Sequence, residues 1–187
     1  MVEGICLTKL NYMSFLKLST LVLLTGTVFL SFNTGTSPYQ IGMNTGDKIP
    51  DLNTTLISGE SFSIDNLKGK MVLIDVWASY NAPSRVKNYQ LEEIRERFSN
   101  SGFYNGNGVE VVSISLDRFM TPVKEAIEMD EIQNFYHICD LQGANGIAKT
   151  FQVTEPVTIL IDGDGRIVAK SNSMNKISDA LSSLVRN

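Results

Sequence analysis

Few side chains in this sequence can carry covalent or proton chemistry, and their spacing decides which chemistry is open. The 187 residues hold two cysteines, Cys6 and Cys139, and one histidine, His137. The cysteines lie far apart, so no pair has the spacing of a dithiol or a zinc site, and one imidazole leaves a serine triad undersupplied. What remains is the stretch Trp77 to Arg85, "WASYNAPSR". It joins an apolar run, "MVLIDVW", to a segment with helical periodicity, and strand-to-helix junctions are where α/β proteins gather their sites. Its tip offers Tyr80, Asn81, Ala82, Pro83 and Ser84. Ser84 offers the one aliphatic hydroxyl, and no histidine follows to take its proton. Ser84 is therefore expected to bond the N–H groups of a helix start. One carboxylate, Asp75, stands inside the apolar run, where desolvation should hold its proton tightly and raise its pKa.

These residues need a frame. Met71–Trp77 reads as a buried strand, and the segment from about Pro83 to Phe98 as a helix with Leu91, Ile94 and Phe98 on one face. "TTLIS" and "SFSI" flank Gly59 and predict a small N-terminal β-hairpin. After a loop at Ser101–Gly108 come a strand at Val109–Leu116 and a helix opened by Thr121 as N-cap with Pro122 behind it. "FYHI" predicts a short strand and "ANGIAKTF" a short helix. "VTEPVTILIDGDGRIVAK" predicts two strands about an Asp-Gly turn, and a last helix presents Ile177, Ala180, Leu181 and Leu184 on one side. The order implies right-handed crossovers feeding a mixed sheet with helices on both faces, an α/β fold. "DGDGRI" departs from a calcium loop at its fifth and sixth positions and reads as the hairpin turn.

Composition narrows the function classes. With 43% hydrophobic and 19% charged residues the chain is globular, and a net charge of -4 gives it no basic footprint for nucleic acid or for an anionic membrane surface. Near the N-terminus, Lys9 and Lys17 precede the uncharged, mostly apolar run Leu18–Phe32. That pattern predicts export, with residues 1–33 a signal peptide or an N-terminal membrane anchor, 34–46 a linker and 47–187 the folded domain. The location expected is the periplasm or cell envelope, with membrane attachment through the N-terminal segment if it stays uncleaved.

Three stretches together resemble a known family. "GDKIPDL…GESFSIDNLKGKMVLIDVWASY" (Gly46–Tyr80), "VVSISLD" (Val111–Asp117) and "EPVTILIDGDGRIV" (Glu155–Val168) are similar to the TlpA-like, membrane-tethered branch of the thioredoxin superfamily. The resemblance runs from about Gly46 to the C-terminus and implies a thioredoxin-like fold. It also implies that Asn81 and Ser84 stand where that family carries its two redox cysteines. Pro83 and Arg85 keep the family pattern, whereas Lys87 and Tyr89 stand in place of a Glu and a Pro. Asp75 matches the buried Asp that handles protons for the cysteines, and Pro156 matches a cis-proline beside the active-site loop.

Thiol exchange needs a thiolate at the helix start and a second thiol to resolve the mixed disulfide. Neither an amide nor a protonated alcohol can replace them. The expectation is a redox-inactive domain without cofactor or metal. It would bind a partner protein or extended peptide of the cell envelope over Trp77, Tyr80, Asn81, Ala82, Pro83, Glu155 and Pro156. The rival expectation is a thiol-dependent oxidoreductase or peroxidase acting through Cys139 alone.

Overall fold

The computed structural model describes residues 40–142 and 146–186. The predicted leader, residues 1–33, lies outside the described residues, as does the linker up to residue 39. Among the described residues no helix is long and apolar enough to cross a membrane.

The centre is a five-stranded sheet in the order β7-β6-β3-β8-β9. Its strands are β3 (Met71–Trp77), β6 (Val109–Ser115), β7 (Tyr136–Cys139), β8 (Val157–Ile161) and β9 (Ile167–Ser171). β3, β6 and β7 are parallel, while β8 and β9 run antiparallel and form the other edge. All seven residues of β3 are buried, as its unbroken apolar run requires of a central strand covered on both faces. A separate hairpin of β1 (Asn53–Thr55) and β2 (Ser61–Ser63) supplies the predicted N-terminal ribbon. Its link to the sheet includes an Ile57 N–H bond to the His137 carbonyl at 2.9 Å.

Alternation along β3 divides the core. Met71, Leu73 and Trp77 face one layer, made with Leu91, Ile94 and Phe98 of α1 (Ala82–Phe98), Val123 and Ala126 of α2 (Met120–Met129), and Ile177 and Leu181 of α4 (Met174–Leu184). Val72, Ile74 and Val76 face the other, where Phe62, Leu67 and Met43 pack beside Phe151, which follows the short α3 (Ile147–Thr150). The mixed sheet with helices on both faces is as the sequence implies.

Two local expectations give way. Ser101–Gly108 is not plain loop: it contains a miniature hairpin, β4 (Gly102–Phe103) with β5 (Gly106–Asn107), because Phe103 is drawn into the core. Thr121 is not an N-cap: α2 starts two residues earlier than expected, with Phe119 at the cap position and no side-chain cap bond. Pro122 falls third in the helix, and a first-turn residue has no intrahelical N–H bond to lose.

Gly108 ends this hairpin at φ +65°, and a Cβ there would lie 2.5 Å from the Ser99 carbonyl oxygen. Its own carbonyl accepts the Met71 N–H at 3.2 Å, which sets the start of β3. Gly108→Ala should therefore lower stability by about 2–4 kcal/mol through combined dihedral strain and overpacking. Urea unfolding with an unchanged midpoint would contradict that account.

Candidate functional site

The junction after β3 is held from three sides. Trp77 and Ala78 are buried, and the chain turns so that the Asn81 N–H bonds the Ala78 carbonyl at 3.0 Å. Ser79 is clamped by Asp117: its N–H donates to Oδ2 at 2.8 Å and its hydroxyl to Oδ1 at 2.6 Å. Ser115 adds a hydroxyl bond to the same carboxylate at 2.6 Å. The loops after β3 and β6 are thereby one unit.

Asn81, not Ser84, caps α1. Asn81 is extended, and its Oδ1 accepts the Ser84 N–H at 3.0 Å. This corrects the sequence expectation: Ser84 is already inside the first turn, its side chain faces the sheet, and its hydroxyl is buried with no partner among the described residues. Asx and Ser caps are close in preference, so a shift of the helix start decides between them. The carboxamide oxygen now takes an N–H that a thiolate at that position would otherwise receive.

Below the turn, Asp75 is fully buried but not unpaired. Lys87 Nζ lies 2.6 Å from its Oδ1, and the Thr158 hydroxyl donates to the same oxygen at 2.6 Å. Burial holds the Asp75 carboxyl above the usual carboxylate range, against the opposing pull of the Lys87 ammonium and the Thr158 hydroxyl. The raised value was legible in the sequence; the partner was not. Lys87 lies one turn beyond Ser84 on the same helix face, so both side chains point at β3. On the outer flank, Arg85 grips Asp130 with two bonds of 2.5 Å, and Asn88 Nδ2 adds a third at 2.7 Å. α1 is therefore tied to β3 by one ion pair and to the end of α2 by another.

These elements enclose a cleft of about 270 Å³, whose lining includes Asn81, Pro83, Ser84, Lys87, Glu155 and Pro156. Of the other residues expected to bind, Tyr80 and Ala82 are exposed beside it, while Trp77 is fully buried and offers no surface. Trp77 sits on the inward face of β3, so it shapes the site from within. The expected cis bond is also absent: no peptide bond among the described residues is cis. The Glu155–Pro156 bond takes the ordinary trans form, which an X–Pro bond keeps unless its surroundings enforce the other.

Three large apolar side chains emerge at this end of the sheet: Tyr80 after β3 (79% exposed), Phe119 after β6 (72%) and Leu141 after β7 (56%). Sequence reading passed over the last two, which carry no motif. Cys139 is half-buried and does not line the cleft; burial, with Asp117 beside it, pushes its thiol up. His137 is buried with Nε2 at 2.7 Å from the Ile132 carbonyl, and burial holds its pKa below the usual range. Among the described residues no three His, Cys, Asp or Glu side chains converge to hold a metal ion.

The Redoxin family model matches residues 44–184. The thiol-disulfide oxidoreductase ResA of Bacillus cereus (strain ATCC 10987 / NRS 248) is 25% identical over 149 residues, covering 79% of this chain and 81% of that protein. The thioredoxin-like protein YneN of Bacillus subtilis is 30% identical over 63 residues, 34% of this chain and 37% of that one. Among solved structures, a thiol:disulfide interchange protein from Bacteroides sp. superposes with a TM-score of 0.67 at 24% identity, covering 78% of this chain and 92% of its own. The thioredoxin domain of a thiol-disulfide oxidoreductase from Bacteroides vulgatus gives 0.63 at 24%, with 74% and 98% covered. At that identity both likenesses speak for the fold, which is thioredoxin-like.

The Asp75–Lys87 pair makes either partner costly to remove alone. Losing one member leaves the other charge buried, so Lys87→Met should cost about 3–5 kcal/mol near neutral pH. A raised folded pKa means that the protonated carboxyl is the form favoured by the fold. Its stability contribution is complete below the unfolded value and fades as pH rises through the folded one. Removing Lys87 takes away the main opposing influence and raises that pKa further. Lys87→Met should thus be far weaker at about pH 8 than at about pH 5, and adding Asp75→Asn should abolish most of the difference. Urea midpoints at both pH values decide it; a pH-independent Lys87→Met would show that the pair is not the burial partner of Asp75.

Proposed function

This chain belongs to the Redoxin family, and we propose that it serves there as an exported binding domain without dithiol chemistry, engaging a partner protein or an extended peptide at the start of α1. One observation carries the reading: the helix start that would need a thiolate holds Asn81 as a neutral cap, with Ser84 buried behind it. No thiol faces solvent at the tip. The surroundings suit contact instead. Tyr80, Phe119 and Leu141 expose apolar area at the carboxyl ends of three parallel strands, beside a cleft lined in part by Asn81 and Glu155. The clamps at Ser79 and Arg85 keep this surface rigid, which lowers the ordering cost of binding.

Export rests on the apolar run Leu18–Phe32 behind Lys9 and Lys17. That pattern supports a cell-envelope location, exported or held at the inner membrane. A thiol reaction through Cys139 is the weaker reading, since its thiolate is disfavoured by burial and by the carboxylate of Asp117.

Two measurements test the proposal. Residues three apart at a helix start can bring their Cβ atoms within about 4 Å, so the double variant Asn81→Cys/Ser84→Cys should form an internal disulfide under mild oxidation. The thiol at 81 should titrate below the roughly 8.5 of a free cysteine. Wild type should leave insulin disulfides intact while the double variant reduces them slowly; a wild-type protein that reduces insulin would end the inactivity claim. For the binding half, a photo-reactive residue at position 80 should crosslink a protein in intact cells, and the same residue at exposed Tyr104 should not. Equal crosslinking from both positions would remove this surface as the binding face.

A further inference from the structure

His137 is the one histidine of the chain, and neither the α1 site nor the ion pair beneath it uses this side chain. It lies in β7, an edge strand of the sheet, with its ring 5.8 Å from that of Phe135. Where this strand meets α2 and the tip of the β1–β2 hairpin, a cavity of about 520 Å³ opens. Leu56 and Ile57 of the hairpin, Ile127 of α2 and Phe135 give it apolar walls, and His137 stands among them. Size and lining are those of a small-molecule site.

One neighbour fixes the chemistry of the ring. Nε2 lies 2.7 Å from the Ile132 carbonyl oxygen, which can only accept, so Nε2 carries the hydrogen. Nδ1 is then a bare acceptor for as long as the ring is neutral. Burial favours that neutral form, holding the pKa of His137 below the usual range. Nδ1 is itself buried and has no partner among the described residues.

The donors nearby are committed elsewhere. The Ser58 hydroxyl bonds the Glu60 carboxylate at 3.2 Å, and the Ile57 N–H bonds the His137 carbonyl at 2.9 Å. A buried acceptor left without a donor is destabilising, and a ligand that supplies one recovers that loss. Charge does not select an ion here. Lys124 and Glu128 of α2 and Glu60 of the hairpin are of both signs, and all three are exposed. An uncharged ligand therefore enters this apolar cavity at the lowest desolvation cost.

We propose that the cavity binds a small, uncharged, phenol-like alcohol, whose hydroxyl donates to His137 Nδ1 while its apolar body lies against Ile57, Ile127 and Phe135. Because Nδ1 is buried, such contact requires the hairpin tip and β7 to part slightly. The bond between Ile57 and His137 is the link that registers this movement. The site shares no lining residue with the α1 cleft, so either reading can fail without the other.

Nitrogen-15 spectra of the ring test the site directly, because one histidine gives one pair of ring signals. The probes are phenol and anisole, which share an aromatic ring and differ in the hydroxyl hydrogen. Without a probe, at about pH 7.5, the hydrogen should be found on Nε2; a hydrogen on Nδ1 would overturn the proposal at once. Phenol should move the Nδ1 signal and the Ile57 amide saturably, with half-saturation on the order of 1 mM. Anisole should bind about five- to ten-fold more weakly, the factor expected of one hydrogen bond, and should leave Nδ1 in place. His137→Gln keeps a donor for the Ile132 carbonyl but removes the ring acceptor. Read at the Ile57 amide, its preference for phenol should fall to about two-fold or less. If that variant does not fold, the comparison of the two probes on the wild type still decides. No saturable change up to about 20 mM phenol would overturn the proposal. So would equal affinity for the two probes, which would mark an apolar cavity in which His137 has no part.

Discussion

The ion pair between Asp75 and Lys87 is the constraint around which the rest of the domain is arranged. β3 is the central strand and is covered on both faces, yet its fifth residue is a carboxylate. A charge in that position would cost several kcal/mol without a partner. The ammonium that meets it must come from α1, because that helix crosses the same face of the sheet. Once Lys87 reaches inward, the rotation of α1 about its axis is set. Ser84, one turn earlier, must also face the sheet; Leu91, one turn later, joins the core; and Arg85 is turned toward Asp130. The geometry of the cleft is thus a consequence of solving a desolvation problem under it.

That constraint explains the chemistry at the tip. A helix start needs an acceptor for its free N–H groups, and the acceptor can be a thiolate or a neutral amide oxygen. Asn81 supplies the amide, so the site is satisfied electrostatically before any ligand arrives. With Lys87 beside it, Asp75 has a cation rather than a cysteine to answer to. In the proposed reading the two differences belong together: a proton-handling carboxylate without thiols to serve is tolerable once a lysine is committed to it.

Much of this frame was legible because it depends on local pattern. Met71–Trp77 is unbroken and apolar, Leu91, Ile94 and Phe98 repeat at helical spacing, and the Asp-Gly turn lies between two alternating runs; each shows up within ten residues. The pairings that position the site do not. Asp75 and Lys87 sit on different elements, as do Ser79 and Asp117, or Arg85 and Asp130, and no periodicity within one element reports a contact between two. The errors follow the same line. Ser84 and Asn81 are both competent caps, so choosing between them needed the rotation of α1 that Lys87 imposes. Phe119 stands at a cap position without a side-chain cap bond, and no local sequence signal marks it.

A sheet whose strands β7, β6 and β3 run parallel has two unlike ends. At the carboxyl ends of β3, β6 and β7 the loops are clamped by side chains, and apolar groups project from them. At the amino end of β3 the loops are fused through glycines, and lysine and arginine side chains line the cleft between them. Cations beside Lys87 would repel the ammonium that Asp75 requires. The polarity of the sheet and the buried carboxylate together decide where each kind of surface can stand.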